Sequence, residues 1–135
     1  MARPKKYGNS ALLAMKLITS NQAQGPGDAW ETGTTSVFGK GSSSQVKSCP
    51  RDAFLGLCEA GLVRGVTSGQ YTRSTKNKAY AVKAAKMIKA QPSLSGKGEI
   101  DLWRKVMHAL GESPAKTYNQ QMDVVLTLFQ NGFIQ

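Results

Sequence analysis

The chain has 135 residues, of which 40% are apolar, and 18 Lys and Arg stand against 8 Asp and Glu for a formal net charge of +10. That length suits a single domain able to bury roughly two thirds of its unfolded surface without disulfide staples. No apolar run approaches the roughly 20 residues of a membrane span, and no signal-like apolar core follows Met1 to Tyr7, so a cytoplasmic protein with no membrane partner is expected.

The apolar pattern is helical through most of the chain. Leu12, Met15, Leu17 and Ile18 after Asn9-Ser10 predict a capped helix over 10–22. Gly25-Pro26-Gly27 breaks the chain, and Asp28-Ala29-Trp30-Glu31 restarts it with acids at capping-box spacing. Gly39 to Ser44 reads as a small-residue loop. Pro50 behind the candidate caps Ser48 and Cys49 suits a first turn, where its missing N–H costs nothing. The helix that it opens, Arg51 to Ala60, carries the uncharged run Ala53 to Cys58, the mark of a central buried helix. Gly61 followed by Leu62 reads as a left-handed C-terminal cap. If Cys49 and Cys58 share this helix, nine residues at about 1.5 Å each hold them roughly 13 Å apart, beyond disulfide reach, so free thiols are expected.

In the second half, a helix over 77–91 places Tyr80, Ala84, Met87 and Ile88 on one side. Gly96-Lys97-Gly98-Glu99 opens another, whose Ile100, Trp103, Val106, Met107 and Leu110 share a face until Gly111 ends it. Ser113-Pro114 reads as a cap and first-turn proline for a sixth helix aligning Tyr118, Met122, Val125 and Phe129 before Gly132. The expected fold is all-α, a compact bundle of about six helices. Trp30, Trp103, Phe54, Tyr118 and Phe129 fall in helical periodicity with other apolar groups and are expected in its core.

The two halves also match each other at an offset of 71 residues. Gly25-Pro26-Gly27-Asp28 falls on Gly96-Lys97-Gly98-Glu99, and Leu55, Leu57, Gly61, Leu62 and Val63 fall on Leu126, Leu128, Gly132, Phe133 and Ile134. With a one-residue slip, Ala14, Lys16 and Ile18 fall on Ala84, Lys86 and Ile88. An internal duplication follows as an expectation: two three-helix units over 7–63 and 77–134, joined by a connector over 64–76.

Cys49-Pro50-Arg51-Asp52-Ala53-Phe54-Leu55-Gly56-Leu57-Cys58-Glu59-Ala60-Gly61-Leu62-Val63, then Tyr71-Thr72-Arg73-Ser74 and Lys76-Asn77-Lys78, then Gln121-Met122-Asp123-Val124-Val125-Leu126, resemble a group of small uncharacterised bacterial proteins. The resemblance covers most of the chain. It implies no activity, because that group is a domain of unknown function.

Charge is the feature that bears on function. Between Ala60 and Gly98 there are eight basic residues and no acid. Clustered Lys and Arg repel one another unless solvated or neutralised, so the block points to an anionic partner. Lys76, Lys78, Lys83, Lys86 and Lys89 fall within an arc of about 160° at 100° per residue, opposite the apolar face. No Asp or Glu stands at i,i+4 to offset them. The loop Thr67 to Asn77 adds hydroxyls, Arg73 and the aromatic Tyr71 beside a helix N-terminus, where free N–H groups favour phosphate. It has no P-loop spacing.

The candidate polyanion-binding residues are therefore Arg64, Tyr71, Arg73, Lys76, Lys78, Lys83, Lys86 and Lys89, for nucleic acid through phosphate contacts. A winged-helix variant of this reading makes Leu62 to Val66 and Gln70 to Thr72 a small hairpin flanked by Arg64 and Arg73. The alternative is a helical interaction module, a homodimer or a binder of an acidic protein, with the lysine face otherwise solvated. Enzyme chemistry is not expected. Cys49 would need a base, and His108, the one histidine, falls on the polar side of its helix between Arg104 and Glu112. Two cysteines and one histidine at these spacings make no metal site, no carboxylate pair is placed for acid–base work, and no cofactor is expected.

Overall fold

The computed structural model describes residues 5–113 and 115–135. Among them the chain forms six α-helices, α1 (Lys6–Thr19), α2 (Pro26–Phe38), α3 (Ser48–Glu59), α4 (Thr75–Ala90), α5 (Glu99–Ala109) and α6 (Gln121–Gln130), with a 3-10 helix, Pro92–Lys97, before α5. The bundle is all-α, as the periodicity predicts. Its centre is the pair α3 and α6: Asp52 to Cys58 and Gln121 to Leu128 are buried without a break. Helices apolar on nearly every side must be enclosed on every side. Each neighbouring pair, α1 with α2 and α4 with α5, closes over this centre, α1 resting on α6 and α4 on α3.

Glycines set the closeness of these crossings. A Cβ on Gly56 of α3 would sit 2.7 Å from the Lys78 Cα of α4, and one on Gly8 of α1 would overlap the Thr127 Oγ1 of α6. The aromatic residues stack inside, Trp30 on Phe54 with ring centres 5.3 Å apart and Trp103 edge-on to Tyr80 at 5.2 Å. Trp103 also meets Tyr118 at 5.5 Å. Cys49 and Cys58 lie at opposite ends of α3 as free thiols, and burial pushes the Cys58 thiol well above its ordinary pKa.

Sequence signals place the glycine-closed helix C-termini correctly, end α1 three residues late and misplace several N-termini. Gly61 has φ 75°, its N–H bonds to the Cys58 carbonyl and the Leu62 N–H to the Leu57 carbonyl, which is a Schellman closure. Gly111 and Gly132 repeat it. By contrast α1 begins at Lys6, so Asn9 and Ser10 are inside it, and the buried Ser10 hydroxyl donates to the Lys6 carbonyl instead of capping. In α2 Pro26 takes the first position behind the N-cap Gly25, and Asp28 reaches back to accept the Gln24 N–H at 3.0 Å, one residue before the cap, so no capping box forms. Ser48 and Cys49 are within α3 rather than before it, leaving Pro50 in the first turn.

The largest correction concerns α6, which starts at Gln121. The proposed first-turn residue Pro114 lies outside the described residues, and those from 115 to 120 form an irregular, non-helical stretch. Tertiary contacts hold this stretch: the Trp103 indole N–H donates to the Lys116 carbonyl at 3.2 Å, and Tyr118 folds back so that its hydroxyl accepts the Asp123 N–H at 2.9 Å and donates to the Asp123 carboxylate. Tyr118 thus satisfies a free N–H of the first turn from outside the helix. The winged-helix hairpin is also overturned. Val63 pairs with Ile134 in an isolated antiparallel bridge, the Arg64 N–H donating to the Phe133 carbonyl at 2.8 Å and the Gln135 N–H to the Leu62 carbonyl at 2.9 Å. These groups are then unavailable to Gln70 to Thr72.

Candidate functional site

The basic residues singled out by charge separate into three groups in space. Tyr71 and Lys78 belong to a knot around Glu59, the last residue of α3. One Glu59 carboxylate oxygen accepts the Tyr71 N–H at 2.8 Å and the Thr72 N–H at 3.2 Å, while the other accepts from the Lys78 ammonium at 2.6 Å. The Lys78 hydrogen bond first, and the two backbone N–H groups after it, hold the Glu59 pKa down at about 2. The Thr72 hydroxyl donates to Asp52 at 3.0 Å, and Tyr71 donates its own hydroxyl to the Thr67 carbonyl at 2.6 Å. Two backbone N–H groups and an ammonium converging on one carboxylate make an anion site, and the chain fills it from within. Arg73 stands exposed at the rim of this knot.

Arg64 and Lys89 form a second group beside the last residues of the chain. Arg64 is exposed next to the Val63–Ile134 bridge, and the Lys89 ammonium donates to the Gln135 carbonyl at 2.8 Å.

The third group lies on the outward face of α4. The Ser74 hydroxyl caps this helix by accepting the Asn77 N–H at 3.2 Å, and Tyr80, Ala81, Ala84, Ala85 and Ile88 are buried against the bundle. Lys76 and Lys86 are exposed and Lys83 half-buried. The ion pairs among the described residues are Lys5–Glu99, Arg51–Asp52, Lys78–Glu59 and Lys105–Asp101, so none of these three lysines has a carboxylate partner there. Lys78, expected on the same solvent stripe, is drawn off it by Glu59.

One cation of this face is not legible as part of the block. The Lys116 ammonium sits 5.6 Å from the centre of the Tyr80 ring, and the neighbouring Tyr80 side chain raises its pKa, so it stays charged. Tyr80 follows Lys76 by four residues and precedes Lys83 by three, which puts them on one flank of α4. Lys116 thus reaches the Tyr80 flank of α4 from a loop 36 residues further along the chain. Only the tertiary fold brings it there.

Chemically, this surface offers positive charge to a solvated anion. His108 is exposed, Cys58 is buried, and no helix among the described residues is long and apolar enough to cross a membrane. The model of a family described as a family of unknown function, DUF6979, matches residues 4–135, and the chain belongs to that family. No curated protein and no solved structure matches it.

Proposed function

We propose that this member of a family of unknown function is a non-enzymatic binding protein that takes nucleic acid or another polyanion on the outward face of α4. Lys76, Lys83 and Lys86 make the phosphate contacts, with Lys116 beside them and Arg73 at the loop edge. The observation that carries this reading is the absence of a carboxylate partner for those three lysines among the described residues. An exposed cation gains by an i,i+4 acid, and a helix of 16 residues had room for several. Lys78 and Tyr71 serve the Glu59 knot, which shapes the loop before α4 rather than contacting the partner.

Salt titration tests the reading. Binding of a short duplex or single-stranded oligonucleotide should weaken log-linearly with salt, and the Lys76→Gln, Lys83→Gln, Lys86→Gln variant should lower the slope by roughly 2 to 3, about 0.7 to 0.9 for each phosphate no longer neutralised. No binding of either oligonucleotide at about 50 mM salt would overturn it.

We further infer that the two halves are copies of one three-helix unit, arranged about a pseudo-twofold axis. Val63 and Ile134, which pair with each other, are 71 residues apart. The two hydrogen bonds of that bridge exchange places under the same offset, since 64 falls on 135 and 62 on 133. The Gly8–Thr127 and Lys78–Gly56 crossings likewise exchange, with an offset of 70 for α1 onto α4 and 71 for α3 onto α6. In this frame Lys83 falls on Leu13 and Lys78 on Gly8, while Lys76 and Lys86 fall on Lys6 and Lys16. The second copy thus adds Lys83 to two lysine positions that both copies carry.

A further inference from the structure

Away from the α4 lysine face, a cleft of about 550 Å³ opens between the end of α4, the 3-10 helix and α5. That volume lies within the roughly 300–1,000 Å³ of small-molecule sites. Its apolar lining is Met87 from α4, Leu94 from the 3-10 helix and Ala109 from α5, and its cations are Lys97, Arg104 and Lys105, with the His108 imidazole beside them. Arg104 and His108 are one turn apart on the same face of α5. Asp101, the one acid in the lining, is bound to the Lys105 ammonium at 2.5 Å, a hydrogen bond that lowers its pKa, so this pair adds no net charge. The cleft thus combines apolar side chains with a net positive charge from Lys97 and Arg104.

We infer that this cleft binds a small amphipathic organic anion, an alkyl or aryl body with a carboxylate or phosphate head. The body leaves water against Met87, Leu94 and Ala109, and the head meets the guanidinium fork of Arg104 and the ammonium of Lys97. A polyanion backbone alone would have no use for the apolar floor. The α1–α2 pair carries a smaller groove of about 260 Å³, with Leu13 and Leu17 in its lining and Lys16 as its one cation. Packing of neighbouring helices therefore makes a groove without also making a positive rim; the rim is specific to the α4–α5 side. None of Lys76, Lys83 or Lys86 takes part in this cleft, so it stands or falls separately from the polyanion reading.

The probe is 8-anilinonaphthalene-1-sulfonate, which joins an aromatic body to a fixed negative charge. Titrated at about 150 mM salt, where exposed charges more than about 8 Å apart are largely screened, it should bind with a rise in fluorescence and shift the methyl resonance of Met87. The methyls of the fully buried Met15, Met107 and Met122 should hold still, which distinguishes the cleft from a loosened core. Lys97→Gln with Arg104→Gln should weaken the probe about tenfold or more, because its charge-assisted hydrogen bonds disappear. The Lys76→Gln, Lys83→Gln, Lys86→Gln variant should bind it as the parent does. Octanoate or phenyl phosphate should displace it where octanol does not. No binding, equal binding by the Lys97→Gln, Arg104→Gln variant, or displacement by octanol as strong as by octanoate would each overturn the inference.

Discussion

Glu59 is the residue on which the charge pattern turns. The acid-free block begins at Ala60, one position after it, yet its carboxylate folds back onto Tyr71, Thr72 and Lys78. Counting charge along the chain misses it because the partners are 12, 13 and 19 residues away. The sign of its linkage to stability is definite. Its folded pKa, about 2, is below the ordinary 4.5, so its contribution is fully present above pH 4.5 and is lost as pH falls toward 2. Asp123 acts oppositely. Burial raises its pKa, so its effect is most favourable below its ordinary value and is lost as pH rises through the folded one. Denaturant midpoints measured between pH 5 and 2 should fall for the parent and fall less steeply for Glu59→Gln; equal slopes would show the knot to be energetically idle.

At the scale of elements, the two glycine crossings make contrasting predictions. Alanine is a better helix former than glycine by about 1 kcal/mol, so Gly8→Ala and Gly56→Ala would stabilise if space allowed. Space does not allow it, and overpacking costs about 1–3 kcal/mol. Both variants should therefore lose stability in urea unfolding. Only one can be rescued. The Gly8 clash is chiefly with the Thr127 hydroxyl, the Thr127 Cβ being at 3.0 Å, and Thr127→Ala should restore part of the loss; the Gly56 clash includes the Lys78 Cα at 2.7 Å, which Lys78→Ala leaves in place. Similar rescue in both pairs would mean that the helices slide apart instead. The identity of these glycines as crossing points is not visible in the sequence, where Gly56 reads as ordinary helix interior and Gly8 falls before the predicted start of its helix. Helix C-termini are visible, because a glycine and the apolar residue after it encode the closure locally. The start of α6 is not, because Tyr118, Trp103 and Gln121 from separate elements decide it: the Gln121 side chain accepts the Asn119 N–H at 3.0 Å, and Gln120 stands at φ 64°.

For the whole molecule, the all-α class and the burial of α3 are legible because an uncharged helix has few places to go. The grouping of the cations is not: charge composition marks a segment, whereas the fold sends Lys78 inward, ties Lys89 to Gln135 and brings in Lys116. The exposed group can be removed at little cost to folding. Replacing Lys76, Lys83 and Lys86 with Gln takes the net charge from +10 to +7 and should change stability by about 0.5 kcal/mol or less per site. A thermal or urea midpoint that drops by much more would mean that these side chains pack rather than bind. The crossing of α1 onto α6 also has a temporal side. During synthesis α6 is made only after α1 and the four α-helices between them, so α1 can pack on α2 at once but lacks its α6 contacts while the intervening residues are made. Contacts between segments so distant in the chain close slowly, and apolar surface left open meanwhile is adhesive.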